Sequence, residues 1–119
     1  MLIIRDAQLV AFHEPLERAF VEGTIASLRA DAAEVVGDAS PEELEDLVRH
    51  GIARARAHAL STEYQIAQYV TFMTWLGRDF DTDPSLPWAR AILVDPSQDG
   101  DEKVAAIEEY VMSAWQGAR

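Results

Sequence analysis

Asp79-Phe80-Asp81-Thr82-Asp83 is the stretch of this chain with the most chemical promise. Alternate aspartates can turn toward one cation, as in the first half of a calcium loop. The second half does not follow. Counted from Asp79, a calcium-binding helix–loop–helix segment needs glycine where Pro84 stands and a bidentate glutamate where Arg90 stands. Nor is a parallel strand found ahead of the run, which is the setting of a phosphatase nucleophile. The expectation is therefore structural: the aspartates cap turns and short helix starts, Phe80 anchors the loop, and neither metal nor cofactor is bound.

The remaining candidates are weaker. His13-Glu14-Pro15-Leu16-Glu17 has glutamate where a zincin helix needs its second histidine, and a proline inside the motif. His50 and His58 share a helix without a partner at ligand spacing, so they read as surface or satisfied side chains. Arg49, Arg54 and Arg56 can clamp a carboxylate or answer the surplus of Asp and Glu. Tyr64, Tyr69, Phe72, Trp75 and Trp88 can line a small-molecule pocket, but aromatic residues at helical spacing more commonly make core. No serine, threonine or lysine is paired with a histidine and a carboxylate, so nucleophilic catalysis has no support and a non-enzyme is expected.

The elements that must position these residues are helical. Ser61 to Leu76 reads as a central post, with Ile66, Tyr69, Val70, Met73 and Leu76 on one face and Phe72 and Trp75 on the other. A helix apolar on nearly all sides is expected to be surrounded over its last turns. Gly77 supplies the positive φ that ends it, and an acidic loop runs from Arg78 to Pro87. Before the post, Ala7 to about Val36 reads as one helix capped by Asp6. Pro15 kinks or divides it, Gly23 weakens it or admits a close neighbour, and Met1–Ile4 form a strap. Ser40-Pro41-Glu42-Glu43 is the clearest helix start; that helix runs to Ala59 and sets Leu44, Val48, Gly51 and Ala55 tightly against the post. A short helix spans Pro87 to Val94. A last one runs from Asp101 to about Gln116, with Val104, Ile107, Val111 and Trp115 buried and Glu102, Lys103, Glu108 and Glu109 in water. The expected fold is all-α, a compact bundle or orthogonal array of about five helices forming a single domain over residues 1–119.

Composition bounds the partners. A chain of 119 residues, 49% hydrophobic and 26% charged, suffices for a core without staples, and it contains no cysteine. The formal charge of −11 is spread along it, with 11 acidic and 6 basic residues in the first sixty and 10 and 4 in the rest. A field of that sign repels nucleic acid and anionic membranes, and it permits a basic protein partner. The apolar runs are short of the ~20 residues that a membrane span needs, and no export signal is legible, so a cytoplasmic location is expected.

Gly51 to Arg56, Ser61-Thr62-Glu63, Tyr69-Val70, Met73, and above all Gly77 to Trp88 with its G-x-D-F-D-x-D-P-x-L-P-W run resemble a group of small bacterial proteins. These proteins, of uncharacterised function, are often encoded beside spike and effector components of type VI secretion systems. The resemblance covers about the middle half of the chain and the approach around Phe20 and Leu28. It implies a genomic setting and a partner class, namely a secretion effector, a toxin or a spike component, and carries over no catalytic residue. The expected function is a non-enzymatic adaptor or chaperone for such a protein. The alternatives are an immunity protein against a cognate toxin and a small ligand- or metal-binding domain. Arg49, Arg56, Asp79, Asp81 and Asp83 are expected to be exposed and to form the protein-binding edge.

Overall fold

Three helices start where a side chain closes the first turn. The Ser40 hydroxyl accepts from the Glu43 amide at 3.0 Å while the Glu43 carboxylate accepts from the Ser40 amide at 2.8 Å. Thr62 and Gln65 exchange the same bonds at 3.1 and 3.2 Å, and Asp99 and Glu102 do so at 2.8 Å each. The computed structural model describes residues 14–117 and, among them, the side chains of residues 16–114. In chain order the elements are α1 (Glu14–Asp31), α2 (Ala33–Val36), α3 (Pro41–Ala57), α4 (Glu63–Leu76), α5 (Pro87–Leu93) and α6 (Gly100–Gly117). The expected all-α architecture is found, with no strand among the described residues.

Boundaries shift for identifiable reasons. α4 starts at Glu63, two residues later than expected, because the Gln65 side chain takes the amides of both Ser61 and Thr62. The helix expected to run through Val36 breaks at Ala32, whose φ of −127° and ψ of 33° are not helical. The break redirects the chain so that Val36 enters the core. The Ala7–His13 part of that helix, the Asp6 cap and the Met1–Ile4 strap lie outside the described residues. α3 ends at Ala57 in a Schellman turn: Leu60 donates to the Ala55 carbonyl at 2.9 Å and Ala59 to that of Arg56 at 3.0 Å. Ala59 sits there at φ +67°, a conformation that usually calls for glycine. Gly77 ends α4 at φ +116°, as expected.

α3 runs antiparallel to both α1 and α4. Arg49 reaches Glu17, and Arg29 reaches the Ala39 carbonyl, which orients α1 on α3. Gly51 faces α4 so closely that a methyl there would lie 2.6 Å from Val70 Cγ2 and 2.9 Å from Met73 Sδ. The tight α3–α4 contact expected from small residues is thus real. Leu44, Val48, Ile52 and Ala55 of α3 meet Ile66, Tyr69, Val70, Phe72 and Met73 of α4 in one core with Phe80, Leu93, Val104 and Ile107. Apolar area removed from water, at about 25 cal/mol per Å², is what holds this arrangement.

The post is not enclosed all round. The molecule measures 45 × 39 × 21 Å, and 21 Å is about two helix diameters, so every helix keeps an outward face. Trp75 is 49% exposed and Tyr64 61%. α6 also differs from expectation. Lys103, assigned to water, is buried, and its ammonium donates to the His58 carbonyl at 3.1 Å, using the polar end of the Schellman turn. Val104 and Ile107 are buried as expected and Val111 is half-buried. The Trp115 side chain lies outside the described set.

Candidate functional site

His50, Arg54 and His58 recur every fourth residue, which sets them in one row along α3 and its C-cap. The loop after α4 lies against that row. His50 Nε2 stands 3.0 Å from Asp79 Oδ1. Asp81 Oδ2 accepts from Arg54 Nε at 2.8 Å and Nη2 at 2.5 Å, and from His58 Nε2 at 2.9 Å. An ionised carboxylate only accepts, so the His58 proton in this contact is on Nε2. Phe80, between the two aspartates, is fully buried with its ring 4.9 Å from Tyr69 and 6.4 Å from Phe72. Its insertion is what presses Asp81 against α3.

Asp81 is therefore not part of an exposed edge, contrary to expectation: its relative exposure is 0%. Burial by itself favours the neutral acid. The hydrogen bonds from His58 and Arg54, together with the Arg54 charge, outweigh that and hold the carboxyl below the usual range. The same hydrogen bond raises Arg54 further above its ordinary value. Burial, and then the Asp81 charge, push the Tyr69 hydroxyl well above the ordinary tyrosine range. Yet Tyr69 Oη and Asp81 Oδ1 have no hydrogen-bond partner among the described residues. Burial and the Asp81 charge are the two largest contributions to the Tyr69 shift.

The other expected site residues are not gathered with it. Asp83 closes its own turn, accepting from the Ser85 amide at 2.9 Å and the Ser85 hydroxyl at 2.7 Å, which lowers its pKa. Asp95 and Ser97 repeat that turn at 2.9 and 2.7 Å, so Asp-Pro-Ser is a twice-used structural unit. Asp79 is exposed beside His50. Arg49 is half-buried and pairs with Glu17 on α1 and Glu45 on its own helix. Arg56 is exposed in the last turn of α3. The three loop aspartates thus point to three different partners, and no group of three His, Cys, Asp or Glu that could hold a metal ion occurs among the described residues. This ion pair, with its carboxylate fully buried, clasps the loop to α3. It offers neither a reachable nucleophile nor an open coordination position.

The aromatic residues do not converge on one pocket either. Tyr69 and Phe72 are core, and Trp88 stacks on Tyr110 of α6 at 3.9 Å and 12°. Trp75 instead borders a groove of about 410 Å³ between α1 and α4. Phe20, Leu28, Ala67 and Thr71 share that lining, and its only charged members are Asp31 and Glu63. No feature of the sequence distinguishes this groove from core, because Phe20, Leu28 and Trp75 sit at ordinary helical spacing. No protein-family model, curated protein or solved structure matches the chain.

Proposed function

We propose that this chain is a non-enzymatic protein-binding module, an adaptor or chaperone that holds a type VI secretion effector or spike-associated protein in the cytoplasm before export. The observation that carries the binding role is Trp75. It is a large apolar side chain, 49% exposed, beside a largely apolar groove, whereas the Asp81 carboxylate of the Arg54–Asp81–His58 cluster is fully buried. Half-exposed tryptophans in such settings are the typical anchors of protein interfaces. The secretion setting rests on the resemblance of the Gly77–Trp88 run alone. A charge of −11 suits a basic partner by speeding encounter, and disfavours nucleic acid. No helix among the described residues is long and apolar enough to cross a membrane.

An immunity protein is the second reading, favoured by the same acidic charge, which suits occlusion of a basic toxin. Pull-down from the native host with mass spectrometry tests the role. Recovery of a secretion effector or spike component supports it, and a clean monomer carrying a small molecule contradicts it. A purified mixture then separates the two readings, because an inhibitor abolishes toxin activity and a loader leaves it intact.

A further inference from the structure

α1 is tied along α3 by the Glu17–Arg49 pair and by the Arg29 bond to the Ala39 carbonyl, and it touches α4 only sparingly. The lining of the groove between α1 and α4 includes small residues: Gly23 and Ser27 of α1, both exposed, and Ala67 and Thr71 of α4, both half-buried. Gly23 weakens the helix that carries it. Nothing in the described residues repays that weakness, because a methyl at Gly23 would meet no atom within 4 Å. At Gly51, by contrast, two side chains of α4 fill the space. Trp75 stands at the groove with about half its surface in water, and both charged residues of the lining, Asp31 and Glu63, are acidic.

We propose that this groove receives an amphipathic helix of a partner protein, one that carries lysine or arginine beside a face of leucine and small residues. The proposal rests on the protein-binding reading and names the partner's chemistry. Small residues along the lining of a groove between two helices let the backbone of a third approach closely. Trp75 covers the apolar face of the incoming helix, and Asp31 and Glu63 meet its basic flanks. The occupant is a helix because a groove between two packed helices takes the side-chain ridge of a third, and the described residues offer no sheet edge to an extended peptide.

The probe is a synthetic peptide of about 18 residues, long enough to hold helical structure, with leucine and alanine on one face and lysine on the other. A counterpart replaces lysine with glutamate. Each is titrated into the isotope-labelled full chain and followed by amide and indole shifts. The lysine peptide is expected to give saturable shifts at Gly23, Ser27, Ala67, Thr71 and Trp75, and the glutamate peptide none. Gly23→Trp meets no clash at Cβ and adds an indole beside the groove lining; with its fold checked by circular dichroism, it should weaken binding by about tenfold or more. Shifts scattered over the acidic surface, unchanged affinity in folded Gly23→Trp, or no saturable binding overturns the proposal. So does about tenfold tighter binding by full-length Ile3→Asp/Ile4→Asp, which would assign the groove to the chain's own N-terminal residues. A dimer that Gly23→Trp dissociates would assign it to a second copy and overturns it equally. If a secretion effector is captured whose binding ignores Gly23→Trp, the groove fails and the protein-binding role stands. Capture of no protein fails the role itself.

Discussion

Arg54 holds Asp81 through two nitrogens on a single oxygen, Nε at 2.8 Å and Nη2 at 2.5 Å from Oδ2, across 27 residues of sequence. The carboxylate is fully buried, whereas the arginine side chain keeps 35% of its surface accessible. The partner that water can still reach is thus the one that carries the more freely solvated charge. Removing it strands the other. Arg54→Met is expected to cost about 3 kcal/mol, the low end for breaking a buried pair, because His58 still holds Asp81 Oδ2. Urea unfolding measures it. The double variant Arg54→Met/Asp81→Leu should lose clearly less than the sum of the single losses.

The same clasp sets the pH dependence. Asp81 has a lowered folded pKa, so its contribution is present above the unfolded value of about 3.9 and is lost as pH falls through the folded value. Tyr69 has a raised folded pKa, so its contribution is present below about pH 10 and is lost as pH rises beyond it. Stability is therefore expected to fall at both ends. In chemical denaturation across pH, Asp81→Asn should flatten the acid limb and Tyr69→Phe the alkaline limb. An acid limb unchanged in Asp81→Asn would show that the carboxylate is not held as described.

Two glycines predict opposite signs for one substitution. Gly51→Ala drives a methyl to 2.6 Å from Val70 Cγ2 and is expected to destabilise by about 1–3 kcal/mol. Gly23→Ala meets nothing within 4 Å and is expected to stabilise by about 0.5–1 kcal/mol through helix propensity. Thermal melts of the two variants distinguish them directly.

Ala59 at φ +67° is strained in the turn that presents the His58 carbonyl to Lys103. Ala59→Gly removes the Cβ clash, worth about 1–2 kcal/mol, and adds unfolded-state freedom that offsets part of it, so a net gain of about 0.5–1 kcal/mol is expected. A loss of stability on calorimetry would mean that the Schellman turn does not set the end of α3.

Much of this fold is legible in the order of residues, because local chemistry decides it. Ser40-Pro41-Glu42-Glu43 carries its own cap, Gly77 its own turn, and Phe80 is apolar in a polar loop and must go in. What is not legible depends on which surfaces meet. Asp79, Asp81 and Asp83 have one composition and three fates, and only the four-residue spacing of His50, Arg54 and His58 hints that a carboxylate will be drawn onto α3. Lys103 sits in a polar run, and its burial follows from a carbonyl 45 residues away. Trp75 is apolar at helical spacing, and periodicity does not report that the slab is only two helices thick. The groove beside it lies between α1 and α4, two helices far apart in the chain, so no single segment encodes it.

The binding face is tested most directly by a quantitative pull-down from the host with three full-length baits: the parent chain, Gly23→Trp, and Asp79→Asn/Asp83→Asn. A partner that engages the groove is retained by the loop variant, with at most the small loss that two exposed charges impose, and falls by about tenfold or more on Gly23→Trp. A partner retained undiminished by folded Gly23→Trp and lost on Asp79→Asn/Asp83→Asn would place the contact on the acidic loop and contradict the groove.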